Sequence, residues 1–218
     1  MAVFQGPVSA AFAEVGAAAF SGAHITAKPD SHGTLGHYCL AAVSGTMAAA
    51  LAANSDIVQF RWSDATRFCR LLEVALTGMY QLTGFTAGAG LFRVGFARTY
   101  TANGTGGTAM TLTGDNNQVR TNMGASLLGD FRVATTAALG AGTKTYDTQD
   151  FGNYPKMILA AANTQVFEGV VLYKCETDDG EHPIVFAQNE GFGIRATVPA
   201  TGTWVFGVRV KWAELAAY

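Results

Sequence analysis

The stretch "TWVFGVRVKW", residues 203–212, decides the fold. Trp204, Phe206, Val208, Val210 and Trp212 share one face of an extended chain, while Val205, Gly207, Arg209 and Lys211 share the other. Side chains alternate between faces along a strand, so this period of two marks a strand with one core-facing side and one wetter side. Trp204, Phe206 and Trp212 could instead form a platform for stacking sugars. Their alternation with Val208 and Val210 makes a core face the simpler reading.

Working outward, the same period runs through the chain from about residue 56. In "LFRVGFARTY" (91–100), Phe92, Val94, Phe96 and Tyr100 alternate with Arg93, Gly95, Ala97 and Thr99. In "RFCRLLEVAL" (67–76), Phe68, Leu72, Val74 and Leu76 fall on one face, with Arg70 as the exception. The clusters "TANGTGGT", "TGDNN", "GAGT" and "TDDG" cut these runs with turn-forming residues. No long amphipathic helix interrupts the pattern. The expectation is an all-β chain, an antiparallel two-sheet sandwich with jelly-roll-like topology, an immunoglobulin-like sandwich remaining open. The long connection 101–125 suits a Greek-key crossover. Residues 1–37, rich in Ala, Gly and turn signals, read as an irregular N-terminal arm or lead-in, and 38–218 as the β-sandwich domain. "GTMAAALAANS" (45–55) is either a short helix or a small-residue linker.

Composition limits the function classes. Of 218 residues, 49% are hydrophobic and only 14% are charged, and the net charge is −2. Globular proteins usually carry about a quarter charged residues. Such a surface suits a subunit whose faces are covered by other subunits, or one made polar by Thr, Ser, Asn and Gly. It offers no basic field for nucleic acid. Arg61, Arg67 and Arg70 form the nearest basic cluster and read as compensated by Asp64 and Glu73. Cys39, Cys69 and Cys175 lack any C-x-x-C and are odd in number, which points to free thiols in a reducing compartment. The N-terminus "MAVFQGPVSAAFAEVGAAAF" has no positive n-region and carries Glu14, so it reads neither as a signal peptide nor as a membrane span. Folding in the cytoplasm is expected.

The densest polar segment is "ETDDGEHP" (176–183), where Asp178, Asp179, Glu181 and His182 raise the question of a metal or acid–base site. An EF-hand loop starting at Asp178 would need Glu at its twelfth position, which is Asn189. The Asp-Gly pair between two hydrophobic runs is instead a hairpin signal. His24, His32 and His37 have no third ligand at a helpful spacing and read as turn or interface residues. There is no G-x-S-x-G, and "GTGGT" lacks the Lys-Ser/Thr of a phosphate loop. Asn103-Gly104-Thr105 fits the glycosylation sequon without a secretion signal to make it usable. No catalytic, cofactor-binding or metal-binding residues are assigned, and no cofactor is expected.

Three segments carry a resemblance: "KPDSHGTLGHYCLAAVSGTMAAALAANSDIVQFRW" (28–62), "NNQVRTNMGASLLGDFRVATTAALGAGTKTYDTQ" (116–149) and "EHPIVFAQNEGFGIRATVPATGTWVFGVRVKWAEL" (181–215). They are similar to a family of tailed-bacteriophage virion structural proteins, whose closing segment runs E-H-P…Q-N-E-G-F…I-R…W-x-E. The resemblance implies a jelly-roll capsid cement or decoration protein. Its expected partners are the major capsid protein and further copies of itself, as a homotrimer, with no direct contact to nucleic acid or membrane. Its expected location is the capsid surface of the virion, after synthesis in the host bacterial cytoplasm. A receptor- or glycan-binding module of a tail or head fibre is the alternative. Under the first reading, residues 1–37 and the 101–125 loop are expected to make the contacts.

Overall fold

The computed structural model describes residues 35–48, 51–114, 116–120, 122–175 and 182–217, together with the antiparallel pairing of β1 (Phe4–Gln5) and β2 (Phe12–Ala13). Met1–Asp30 groups as one compact unit and Ser31–Tyr218 as another. The second unit is built on eight principal strands: β3 (Gly36–Val43), β5 (Ser55–Trp62), β6 (Phe68–Thr83), β7 (Gly88–Ala102), β10 (Thr143–Ile158), β12 (Val170–Lys174), β14 (Glu190–Thr197) and β15 (Thr203–Leu215). One sheet runs β3-β15-β6-β12 and the other β5-β14-β7-β10, with antiparallel pairing throughout. Counted in chain order, the strands fall first-eighth-third-sixth and second-seventh-fourth-fifth, which is the jelly-roll arrangement of two interlocked Greek keys. Short strands complete the sheets: β4 (Met47–Ala48) pairs with β15, and β11 (Thr164–Phe167) and β13 (Val185–Phe186) pair with β6. β9 (Leu128–Val133) and β8 (Thr108–Ala109) extend the second sheet beyond β5.

The alternation of β15 drives the packing. Trp204, Phe206, Val208, Val210 and Trp212 are all fully buried. Phe60 stacks on Phe192, its partner in the same sheet, with ring centres 4.8 Å apart, and across the sandwich it meets Trp212 edge-on at 5.6 Å. Each buried indole finds an acceptor for its N–H: Trp62 at the Arg67 carbonyl (2.9 Å), Trp204 at the Ala48 carbonyl (3.1 Å) and Trp212 at Glu214 Oε1 (3.2 Å).

Where β6 runs alongside β15, its side chains do not keep a single phase. Trp212 pairs with Leu71 and Lys211 with Glu73, so Leu72 has no partner; Val208 pairs with Leu76 and Gly207 with Gly78, so Thr77 has none. Each is a bulge that resets the alternation. The inward set is therefore Cys69 and Leu71, then Val74 and Leu76, then Met79. The single face expected for Phe68, Leu72, Val74 and Leu76 holds only for the last two. Arg70 lies on the opposite face and is only 1% exposed.

Three further expectations change. No described residue is helical, and Met47–Ala48 within "GTMAAALAANS" is strand. The segment 101–125 does not connect the two sheets. It belongs to an excursion between β7 and β10, neighbours in one sheet, which supplies β8 and β9 at that sheet's far edge. Part of it covers the edge of β3: Cys39 N–H donates to the Asn117 carbonyl and Val119 N–H to the His37 carbonyl. Finally, the strands flanking "TDDG" do not form a hairpin. β12 and β13 both run antiparallel to β6, at Leu76–Glu73 and then Arg70–Cys69, so they lie in line on one edge. The chain leaves that edge and rejoins it. Residues 176–181, which include the Asp-Gly pair, lie outside the described residues.

Candidate interaction surfaces

Strand partners in register share a face, so the pairing defines what each sheet shows to solvent. On the outer face of the β3-β15-β6-β12 sheet, Val205 stands beside Tyr80, Gly207 beside Val43, and Arg209 between Ala41 and Ala75. Val171 of β12 extends the Ala75 row. This face is apolar and open: Val43 is 68%, Val171 51% and Tyr80 48% exposed, with Leu82 also exposed. A shallow cleft of about 330 Å³ lies on it between Ala75, Thr77, Gly169, Val171 and Arg209.

One carboxylate on this face serves two cations, leaving a net positive charge. Glu73 accepts from Arg209 Nε at 2.8 Å and from Lys211 Nζ at 2.9 Å. Burial alone would raise the Glu73 carboxyl, but the hydrogen bonds from Lys211 and Arg209 outweigh it and hold the group below the usual carboxylate range. Covering an internally paired cluster costs less than covering isolated charges. Glu73 is thus committed to β15 and does not offset the nearby arginines as expected. Arg61 is instead held by the carbonyls of Tyr100 (2.6 Å) and Thr101 (3.0 Å) and by Asn103 Oδ1 (2.7 Å). Asp64 accepts the Thr66 and Arg67 backbone N–H groups at 2.9 and 2.8 Å.

The outer face of the other sheet has the opposite character. Gly193 of β14 sits between Gly95 and Gln59, and Arg195 between Arg93 and Asp56. The two glycines leave a trough, and the Tyr146 ring lies in it; a Cβ added at Gly193 would meet Tyr146 Oη at 1.9 Å. The Arg195 guanidinium stands 4.3 Å from the ring centre and bonds Asp150. Tyr146 donates to Asp56 Oδ1 at 2.8 Å, while Lys144 and Gln59 both reach Asp56 Oδ2 at 2.8 Å. Tyr100 donates to Gln59 Oε1 at 3.0 Å. Burial, and then the adjacent Asp56 carboxylate, push the Tyr146 phenol far above its ordinary value, so it remains a donor. Further along, Arg98 bonds Glu190 at 2.6 Å and Asp147 at 3.2 Å and stands over Phe96 at 4.7 Å. None of these polar residues was singled out in the sequence, where a Lys and a Tyr in "KTYDTQD" look like an ordinary exposed strand.

The residues considered for chemistry do not converge. Asp178, Asp179, Glu181, His24 and His32 lie outside the described residues. His182 is exposed just before β13, and His37 is half-buried on β3. Among the described residues, no group of three or more His, Cys, Asp or Glu side chains is placed to hold a metal ion. Cys39, Cys69 and Cys175 are free thiols. Trp204, Phe206 and Trp212 are core residues, so a sugar-stacking platform on that strand is ruled out by burial. Among the described residues, no helix is long and apolar enough to cross a membrane.

The fold thus defines a jelly-roll sandwich with one apolar and one ionic outer face. Comparison with protein-family models, with characterised proteins and with solved structures finds no match to this chain.

Proposed function

We propose that the protein is a structural component of a tailed-phage virion, a capsid cement or decoration protein that binds the shell of the major capsid protein and stabilises the head. The observation that carries this reading is the open apolar sheet face around Val43, Tyr80 and Val171, on which Glu73 is paired with both Arg209 and Lys211. A face of this kind suits burial against another protein surface, where apolar contact gains free energy and little charge is desolvated. The resemblance of segments 28–62, 116–149 and 181–215 to phage virion proteins supports the same assignment, as does the low charge content of the chain. In this role the sandwich acts as a rigid block. Subunits join through the apolar face as homotrimers, and the trimers bridge capsid subunits, adding buried area across a shell under internal DNA pressure.

The test is binding to the expanded, empty shells of the phage that encodes the chain. Under the proposal the protein co-sediments with those shells and raises their unfolding temperature, because a ligand of the folded state stabilises it by mass action. Shells that neither retain the protein nor gain stability would contradict the assignment.

A further inference from the structure

We propose that Lys144 and Asp56 become joined by an intramolecular amide bond, a staple tying β10 to β5 across the ionic outer face. The two side chains meet at 2.8 Å, Nζ to Oδ2, and are only 1% and 9% exposed. They come from strands that are not neighbours, since β7 and β14 lie between β10 and β5. Gly95 and Gly193 leave the intervening surface low enough for the Tyr146 ring from β10 to lie across it and reach Asp56 beside Lys144.

The surroundings hold the two groups in fixed contact and away from water. Lys144 Nζ stands over the faces of Tyr100 and Tyr146, 5.0 and 5.5 Å from the ring centres, so its neighbourhood is aromatic and closed to solvent. It is fixed further by a hydrogen bond to the Ala141 carbonyl. Asp56 is held at both oxygens: Tyr146 donates to Oδ1 at 2.8 Å, and Gln59 Nε2 donates to Oδ2 at 2.8 Å while also reaching the Gly140 carbonyl at 2.9 Å. A donor at Oδ1 polarises the carbonyl carbon and stabilises the negative charge that develops there on attack. A donor at Oδ2 assists that oxygen as it leaves. Holding the reacting groups in contact supplies an effective concentration on the order of 10⁵–10⁸ M, which a free amine and acid in water lack.

The reaction balances without a co-reactant. A proton passes from Nζ to the carboxylate along the Nζ–Oδ2 contact, giving an amine and a carboxylic acid. The nitrogen lone pair attacks Cγ and forms the N–C bond, with Tyr146 donating to Oδ1. A second proton moves from the nitrogen to Oδ2, the Cγ–Oδ2 bond breaks, and one water departs. Tyr146 and Gln59 act here as positioning and polarising residues. Nothing in this step depends on which partner the protein binds.

Intact-mass spectrometry of the full chain after denaturation tests the proposal. The wild-type protein is expected to weigh less than its sequence by one water, about 18 Da. After trypsin, the peptides carrying positions 56 and 144 should appear as one branched species. Lys144→Met, which lacks the nucleophile, should have its full sequence mass. Tyr146→Phe keeps the ring in place and should give a mixture of the two masses, because the donor at Oδ1 is gone. A denatured wild-type chain at full sequence mass, with its position-144 peptide unlinked, overturns the proposal whatever the variants do.

Discussion

Replacing Gly193 with alanine perturbs the ionic face at a single point. A Cβ there would lie 1.9 Å from Tyr146 Oη and 2.9 Å from Cζ. The ring is rigid, and its far end is pinned at Asp56 by a 2.8 Å hydrogen bond, so it cannot swing aside and must lift out of the trough. Losing this hydrogen bond costs about 1.5–3 kcal/mol where Asp56 is a carboxylate and about 0.5–1.5 kcal/mol where it is the proposed amide. Disturbing the Arg195 contact with the ring, now 4.3 Å from guanidinium to centre, costs a further ~0.5–2 kcal/mol. The sum is about 1–5 kcal/mol, and each kcal/mol lowers the melting temperature of a domain this size by about 2–4 °C. Gly124→Ala is the control, because an added Cβ there meets nothing within 4 Å and should change stability by no more than about 0.5 kcal/mol. Urea and thermal unfolding of both variants should separate them clearly. Introducing Gly193→Ala into Tyr146→Phe should cost less than introducing it into wild type, since the closest clash is with the hydroxyl. If Gly193→Ala unfolds together with Gly124→Ala, the trough does not hold the Tyr146 ring and the reasoning fails.

Other outcomes follow from the core and the faces. Burial raises the Glu214 carboxyl despite the hydrogen bonds from Ser126, Leu127 and Trp212. The stability tied to this shift is complete below the unfolded value of about 4.3 and is lost as pH rises through the higher folded value. Wild type should therefore lose stability relative to Glu214→Gln as pH rises above about 4.3, and denaturant titrations with a difference that stays constant above that pH would refute this. The Cys69 thiol is pushed well up by burial and the nearby Glu214, so a thiol reagent at neutral pH should leave it unmodified until the chain unfolds. Trp62, Trp204 and Trp212 are fully buried; their fluorescence should resist iodide quenching and ignore added oligosaccharides. Val171→Asp and Tyr80→Asp, on the open apolar face, should shift unfolding by less than about 1 kcal/mol yet abolish self-association in sedimentation velocity.

How far the sequence could be read depended on how local each signal was. The period of two in β15 is written within ten consecutive residues, and both the strand and its Trp-rich core face could be read from it. The bulges at Leu72 and Thr77 were hidden because an unpaired residue is defined by the partner strand, and "RFCRLLEVAL" alone looks like one continuous alternation. The in-line arrangement of β12 and β13 was hidden for a related reason: Asp-Gly specifies a turn, and only the edge of β6 determines where the chain returns. The Tyr146–Asp56–Lys144 cluster joins residues about ninety positions apart and depends on what glycine lacks. Its one trace in the sequence is the pair of glycines at the solvent-facing positions of β7 and β14, in "RVGF" and "GFGI". The apolar outer face was similarly divided among Val43, Tyr80, Val171 and Val205, each of which looks unremarkable within its own strand.

The proposed role is tested most directly by imaging intact virions of the phage that encodes this chain, by cryo-electron microscopy with enough detail to place a two-sheet sandwich. Jelly-roll density is expected on the outside of the head, in trimers, with the Val43–Tyr80–Val171 face buried against a neighbouring subunit of the trimer. Density confined to the tail or a fibre, or a head without this protein, would contradict it.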